Sequence, residues 1–323
     1  KAMKILIINA GSSSMKFMLF DMEQEEVMAK GQVERINIPG TRLLYKNVND
    51  GSLDKTVTAN SYDAAIRQAG LALLDKDVGV IENLNEIDAI GHRVVHGGDQ
   101  MSESVRIDEE AKRVIRDFIP LAPIHNPPNL EGIEACENLL PDVPMVAVFD
   151  TAFHASMPAS AYTYAIPAEV AAKYKIRRYG FHGTSHRFVA RAAARHLGRD
   201  LSELKLITAH LGNGSSVAAI QGLVMGTRCG DVDPAIVLFL LERGYSRPDV
   251  DKMLNKQSGL LGLSGTSDMR DLMEQVSAGD ETATLTFDVF MHRLVKYIGA
   301  YAAVLNGFDA LIFTAGIGEN NPI

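Results

Sequence analysis

The chain has 323 residues, with 32 Lys and Arg against 40 Asp and Glu, a formal charge of −8 at pH 7. Its composition, 46% hydrophobic and 22% charged, is ordinary soluble globular usage, and at roughly 150 residues per domain the length suggests two domains. Mild acidity argues against a nucleic-acid binder held by a basic face. Two cysteines, Cys136 and Cys229, exclude a disulfide scaffold and fit a reducing cytoplasm, and no apolar run reaches the ~18 residues of a membrane span.

In chain order, Ile5–Ala10 reads as a strand that ends in Gly11-Ser12-Ser13-Ser14, with Lys16–Phe20 following as a second strand. Asn49-Asp50-Gly51 marks a later hairpin turn. Ser61 caps a helix whose apolar positions Ile66, Ala69, Leu73 and Leu74 recur at helical spacing. Strands are expected over Ala89–Val95 and Met145–Phe149, and helices over Glu109–Phe118 and Leu130–Leu140, with His125 in a rigid, non-helical Pro-rich segment before the second. This alternation indicates an α/β protein with buried parallel strands. The second half repeats the opening: a helix over Ser185–Leu197, a strand over Leu204–Leu211, the turn Gly212-Asn213-Gly214-Ser215-Ser216, and an apolar run from Val217 to Ile220. A mostly helical stretch from Asp233 to Leu305 leads to a strand, Ala310–Thr314, and a third Gly-rich turn over Gly316–Glu319. The repeat suggests duplication, with domains over 1–150 and 151–323.

Three Gly-rich turns after three strands suit phosphates, because glycine lets backbone N–H groups approach an anion and serine hydroxyls add donors. None is a Walker A loop or a full dinucleotide fingerprint. Alone, each would be a plain hairpin. A second set is cationic: His92, Arg93 and His96 at a strand end, His125, then Arg177, Arg178, His182 and His186, and Arg228 between glycines. Singly these are surface ion pairs or caps; in Gly- and Pro-rich turns they suggest an oxyanion site, since the guanidinium donates two parallel hydrogen bonds. Zinc ligation by Asp150, His154, His182 and His186 competes, but no His-Glu-x-x-His occurs, and no Gly-x-Ser-x-Gly marks a serine hydrolase.

Asn9–Phe17, Gly91–Gly98, Phe149–His154, Arg178–His186, His210–Gly214, Met225–Arg228 and Gly316–Asn320 together resemble the acetate kinase family over nearly the whole chain. Asp233-Pro234-Ala235 is closer to the acetate than to the propionate branch. The resemblance implies duplicated ribonuclease-H-like domains, the fold shared with sugar kinases, Hsp70 and actin, with ATP in the interdomain cleft. Two departures stand out. The family carries about fifteen more residues between Gln221 and Gly222, including a proline of the methyl pocket, and it continues beyond Ile323 with a segment that supplies an acidic metal ligand.

The reaction implied is ATP + acetate ⇌ ADP + acetyl phosphate with Mg²⁺, Mn²⁺ substituting, in a cytoplasmic homodimer that binds neither nucleic acid nor membrane. By the resemblance, Arg93 and Arg228 serve the carboxylate and the phosphoryl group, His182 the transition state with His125 alongside, and Asp150 orients an Arg or the metal shell. Asn9 is the metal-side residue of the first phosphate loop, with Ser14 and Lys16; His210, Gly212, Asn213 and Gly214 face the nucleotide phosphates. Asp268, Met269, Arg270, Gly316, Ile317, Gly318 and Asn320 hold adenosine, and Val95, Ile124 and Phe181 wall the methyl pocket. The first alternative is a propionate or other short-chain acyl kinase, and a more distant one is a sugar kinase on the same fold, using Asp150 as base. An ATP-driven switch resembling Hsp70 would lack the acceptor-side cations.

Overall fold

Lys4–Ala10 forms β1, in which Leu6, Ile8 and Ala10 are buried in alternation, the period a strand with one packed face requires. The Gly11 N–H donates to the Ser14 carbonyl at 2.7 Å, and β2 (Ser14–Asp21) runs back antiparallel. β3 (Glu26–Glu34), β4 (Arg42–Asn47) and β5 (Ser52–Thr56) extend the meander. The Asn49–Gly51 turn falls where its sequence predicts, with Asn47 Oδ1 accepting from the Asn49 and Gly51 N–H groups at 2.9 and 2.8 Å. α1 (Tyr62–Leu73) starts at the predicted cap, Ser61 Oγ accepting from the Ala64 N–H at 3.1 Å. The Tyr62 hydroxyl donates back to the Gly11 carbonyl, tying this helix to the first hairpin tip.

β6 (Ala89–Val94) then enters parallel to β1, and after β7 (Val105–Arg106), α2 (Glu109–Asp117) and α3 (Asn126–Leu139), β8 (Met145–Phe149) lies parallel to β6. The sheet order is β5-β4-β3-β2-β1-β6-β8-β7. Its Leu6, Ile8, Phe17 and Leu19 pack with Ile66 and Leu73 of α1 and Cys136 of α3. Each such buried side chain contributes about 1.5–3 kcal/mol, so this face fixes the register and leaves the other to carry polar groups. One expectation is corrected. Asn126-Pro127-Pro128 opens α3 instead of standing outside it, because a helix's first N–H groups have no intrahelical partner and proline costs nothing there.

The computed structural model describes residues 2–163, 168–212, 214–218, 231–232 and 234–320, and the chain separates into two units, one ending at Met157 and one beginning at Pro158. In the second unit α4 (Ala159–Tyr162), α5 (Ala168–Tyr174) and α6 (Gly183–Leu197) precede β9 (Leu206–Leu211), and β10 (Ser215–Val217) pairs antiparallel to it. α7 (Pro234–Glu242), α8 (Arg247–Lys256), α9 (Gly259–Ser264), α10 (Met269–Ser277) and α11 (Glu281–Leu305) follow. β11 (Ala310–Thr314) pairs parallel to β9, giving the order β10-β9-β11, and α12 (Ala315–Asn320) begins at once. Ile207, Ala209 and Leu211 pack on Leu272 of α10 and on Phe290, Leu294 and Tyr301 of α11.

The pattern β2-β1-β6 therefore recurs as β10-β9-β11: a hairpin whose first strand pairs parallel with a later one. The third Gly-rich turn is corrected to a helix. Glu319 accepts from the Ala315 N–H at 3.1 Å and the Thr314 hydroxyl at 3.0 Å, supplying the partners that a helix start otherwise lacks.

Candidate active site

In the first unit, strand register assembles a polar row on the face turned away from the Leu6–Ile8 core. Asn9 pairs with Lys16 across the hairpin, and Ile8 pairs with His92, so the next position sets Asn9 beside Arg93. The Arg93 Nη1 donates to Asn9 Oδ1 at 3.1 Å. Asp150, one residue beyond β8, receives Arg93 Nη2 on Oδ2 at 2.6 Å and Arg93 Nε on Oδ1 and Oδ2 at 3.1 and 3.2 Å. The carboxylate is 2% exposed and the guanidinium side chain 36%. A buried charge needs a partner of this quality, and the pairing fixes a cation that still reaches solvent. Lys16 is exposed on the same face, and Ser14 is half-buried at the tip.

Residues that the sequence reading missed hold this row. Asn129 accepts from the Val95 N–H at 2.9 Å and donates to the Ala10 carbonyl at 2.7 Å, joining the ends of β6 and β1. Asn126 accepts from the His96 N–H at 3.1 Å and donates to the His96 and Ile115 carbonyls, each at 3.0 Å. Two asparagines three residues apart on one helical face were the available signal. These bonds bring the His125 segment, with half-buried Ile124, to buried Val95 at the end of β6. His92 and His96 do not join the cations. Burial pushes them down to about 3 and about 4, and His96 Nδ1 accepts from the Gly98 N–H at 3.0 Å as a neutral ring must.

In the second unit, His182 precedes α6 in the left-handed region, φ 55°, with Gly183 as the first helical residue. Such a backbone is uncommon for histidine and requires support from its surroundings. The ring stacks on His210, centroids 4.2 Å apart, and its Nδ1 lies 2.8 Å from Ser216 Oγ. His210 Nδ1 is 2.9 Å from Ser185 Oγ. His186, fully buried, reaches Thr208 and Ser216, so the suspected i, i+4 metal pair instead shares one serine hydroxyl. At the hairpin tip Gly212 N–H donates to the Gly214 carbonyl at 3.2 Å. Arg177 stacks 3.6 Å over the Tyr162 ring and Arg178 donates to the Ala161 carbonyl at 2.9 Å.

The residues expected to hold adenosine also gather in this unit. Asp268 caps α10, accepting from the Arg270 N–H at 2.8 Å and pairing with its guanidinium at 2.5 Å, which holds the carboxyl down to about 2. Buried Met269 lines an apolar cavity of 330 Å³ with Met273, Phe287, Phe313, Ile317 and Gly318. Asn320 donates to the Gly316 carbonyl at 2.8 Å. Asn213 and Arg228 lie outside the described residues. Phe181 is half-buried beside His182, in the second unit, whereas Val95 and Ile124 belong to the first. Among the described residues no three His, Cys, Asp or Glu side chains converge as a metal cage; both Asp150 oxygens face Arg93, so these residues do not by themselves fit a resident divalent cation.

A repeated hairpin-plus-parallel-strand unit, bearing a fixed guanidinium in one copy and an imidazole cluster in the other, defines a phosphotransferase of the duplicated ribonuclease-H-like fold. Residues 4–323 match the sequence model of the acetokinase family, and the chain belongs to that family. It is 50% identical to an acetate kinase of Carboxydothermus hydrogenoformans over 337 aligned positions, covering 99% of this chain and 85% of that one. It is 52% identical to an acetate kinase of Thermotoga maritima, covering 99% and 84%. Since 337 positions exceed the 323 residues of the chain, the first relative carries residues inside the match that this chain lacks. Among solved structures, Porphyromonas gingivalis acetate kinase superposes with TM-score 0.92 at 43% identity, covering 99% of this chain and 84% of its own. A propionate kinase from Francisella tularensis gives 0.93 at 40% identity, covering 99% and 85%.

Proposed function

We propose that the chain is an acetate kinase, transferring the γ-phosphoryl group of magnesium-bound ATP to acetate, reversibly, by direct in-line attack of the carboxylate. Acetate is ionised at neutral pH and needs no general base. The enzyme's task is to neutralise and align two anions. The observation that carries the reading is the Arg93–Asp150 pair. Both Asp150 oxygens accept from one guanidinium and the side chain is 2% exposed, which suits an anchor for a cation better than a base open to a sugar hydroxyl.

In this reading Arg93 binds the acceptor carboxylate and the moving phosphoryl group, with Arg228 completing the cation set by family resemblance. His182 donates to the equatorial oxygens, and His125 assists. Lys16, Ser14 and Asn9 attend the phosphates from the first hairpin, and His210, Gly212, Asn213 and Gly214 from the second. The apolar cavity of Met269 and Ile317 takes the adenine ring, flanked by Asp268, Arg270, Gly316, Gly318 and Asn320. By the family resemblance, Val95, Ile124 and Phe181 are the residues assigned to the acetate methyl group. One methylene is worth about 1–3 kcal/mol in such a pocket, so propionate also reacts. The same reading takes the enzyme as a cytoplasmic homodimer; among the described helices none is long and apolar enough to cross a membrane.

The test is trapping of acyl phosphate as the hydroxamate, with acetate, propionate and glycerol as acceptors. Acetate is expected to exceed propionate, and glycerol to stimulate no ATP turnover. Glycerol-dependent ADP release without hydroxamate would favour the sugar-kinase alternative.

A further inference from the structure

Three successive hydrogen-bond contacts link four side chains of the second unit. Thr208 Oγ1 lies 2.8 Å from His186 Nδ1, His186 Nε2 lies 2.8 Å from Ser216 Oγ, and Ser216 Oγ lies 2.8 Å from His182 Nδ1. Thr208, His186 and Ser216 are all buried. A neutral imidazole has one N–H donor and one bare nitrogen, and a hydroxyl has one proton to give. The Ser216 hydroxyl has one proton and two acceptor lone pairs, and among the described residues the two rings are its partners, so between neutral rings that proton is used only if it donates to one ring and accepts from the other.

Two proton orders satisfy this rule. In the outward order the Thr208 hydroxyl donates to His186 Nδ1, His186 Nε2–H donates to Ser216, and Ser216 donates to His182 Nδ1. His182 then carries its proton on Nε2. In the inward order every bond reverses, His182 Nε2 is bare, and Thr208 must accept from His186. Among the described residues His186 is the one partner of the Thr208 hydroxyl. The inward order therefore strands a buried O–H without an acceptor, whereas the outward order uses that proton and leaves only spare lone pairs. An unmet buried donor is the costlier defect.

We infer that Thr208, His186 and Ser216 are positioning residues that set the proton of His182 on Nε2, presenting it as a hydrogen-bond donor. This rests on the role given to His182 above, which a donor at Nε2 fits and a bare nitrogen does not. The stack on His210 and the left-handed backbone at residue 182 fix the ring's plane, and the relay fixes its tautomer.

The experiment is long-range ¹H–¹⁵N NMR of the histidine rings in the whole, ligand-free chain at pH 7.5, assigned with a His182→Gln variant. The expected result is the Nε2–H tautomer for His182 in the unaltered chain and a tautomer mixture in Thr208→Val, with Thr208→Ser restoring the original signal. In steady-state assays Thr208→Val and Ser216→Ala are expected to lower kcat about tenfold with the KM values for acetate and ATP within twofold, and Thr208→Ser to recover it. A bare Nε2 or a doubly protonated His182 in the unaltered chain overturns the inference, even if Thr208→Val fails to fold. So does a folded Thr208→Val whose His182 tautomer and kcat are unchanged. The tautomer is read without substrate, so absence of acyl phosphate formation by the unaltered chain would strike the functional reading and leave the relay to be judged on its own signal.

Discussion

Lys16, Asn9 and Arg93 in the first unit and Ser216, His210 and Thr314 in the second occupy the same three positions of the same strand pattern. The two rows differ in what lies over them. The first keeps Lys16 exposed and Arg93 partly exposed, with one buried carboxylate as anchor. Over the second, the start of α6 places His182, Ser185 and His186 against Ser216, His210 and Thr208. A charged row covered by a helix would need a counter-ion for every charge, whereas hydroxyls and imidazoles satisfy one another as neutral groups. Duplication thus supplied the scaffold twice, and the covering element decided which copy carries a fixed charge and which an ordered proton chain.

The sharpest way to break that contrast is to remove the charge. Arg93→Ala is expected to lower kcat at least about a hundredfold, the about 2.7–4 kcal/mol of a lost oxyanion donor, with ADP affinity by calorimetry nearly unchanged. Turnover near that of the unaltered enzyme would remove Arg93 from the chemistry. Next in size is Gly98→Ala, at the loop behind Arg93. Glycine there has φ +64°, and an added Cβ would meet the Phe118 ring at 1.9 Å. Left-handed strain plus overpacking should cost about 2–5 kcal/mol in denaturant melts, with no such loss for the unencumbered Gly299→Ala in the second unit.

The first unit's buried histidines predict an acid sensitivity. His92 and His96 bind protons only near 3 and 4 when folded, but at the ordinary value of about 6.5 when unfolded. The unfolded chain therefore takes up protons first as the pH falls. Their stabilising contribution is fully present above about 6.5 and declines between there and about 4, at up to about 1.4 kcal/mol per pH unit for each group. His92→Leu should flatten the slope of stability between pH 6.5 and 4.5 by one proton; an identical slope would place the sensitivity elsewhere. The smallest effect is expected in the second unit. Ala315 has φ 65° at the start of α12, so Ala315→Gly should relieve backbone strain and raise stability by about 0.5–1 kcal/mol, read as a higher Tm.

Strands, turns and caps were legible because their signals are local. The alternation of Leu6, Ile8 and Ala10, the Ser61 cap and the Asn49–Gly51 turn each lie within a few residues. The repeated Gly/Ser hairpin announced the duplication for the same reason. The helical start at Asn126 and the helix over Ala315–Asn320 were misread, since prolines and glycines punctuate loops unless a neighbouring group satisfies the helix end.

What the sequence alone determined is which residue types stand at the ends of its strands: the guanidinium, the imidazoles and the glycine turns. Their states were decided by tertiary structure. Arg93 meets Asp150 across 57 residues and Asn9 across 84, and Asn129 reaches Ala10 across 119. Only that folding shows Asp150 occupied as an anchor, His92 and His96 neutral, and His182 at the end of a buried chain of hydroxyls. Periodicity is written in neighbouring residues, whereas protonation and pairing depend on burial and on partners that are distant along the chain.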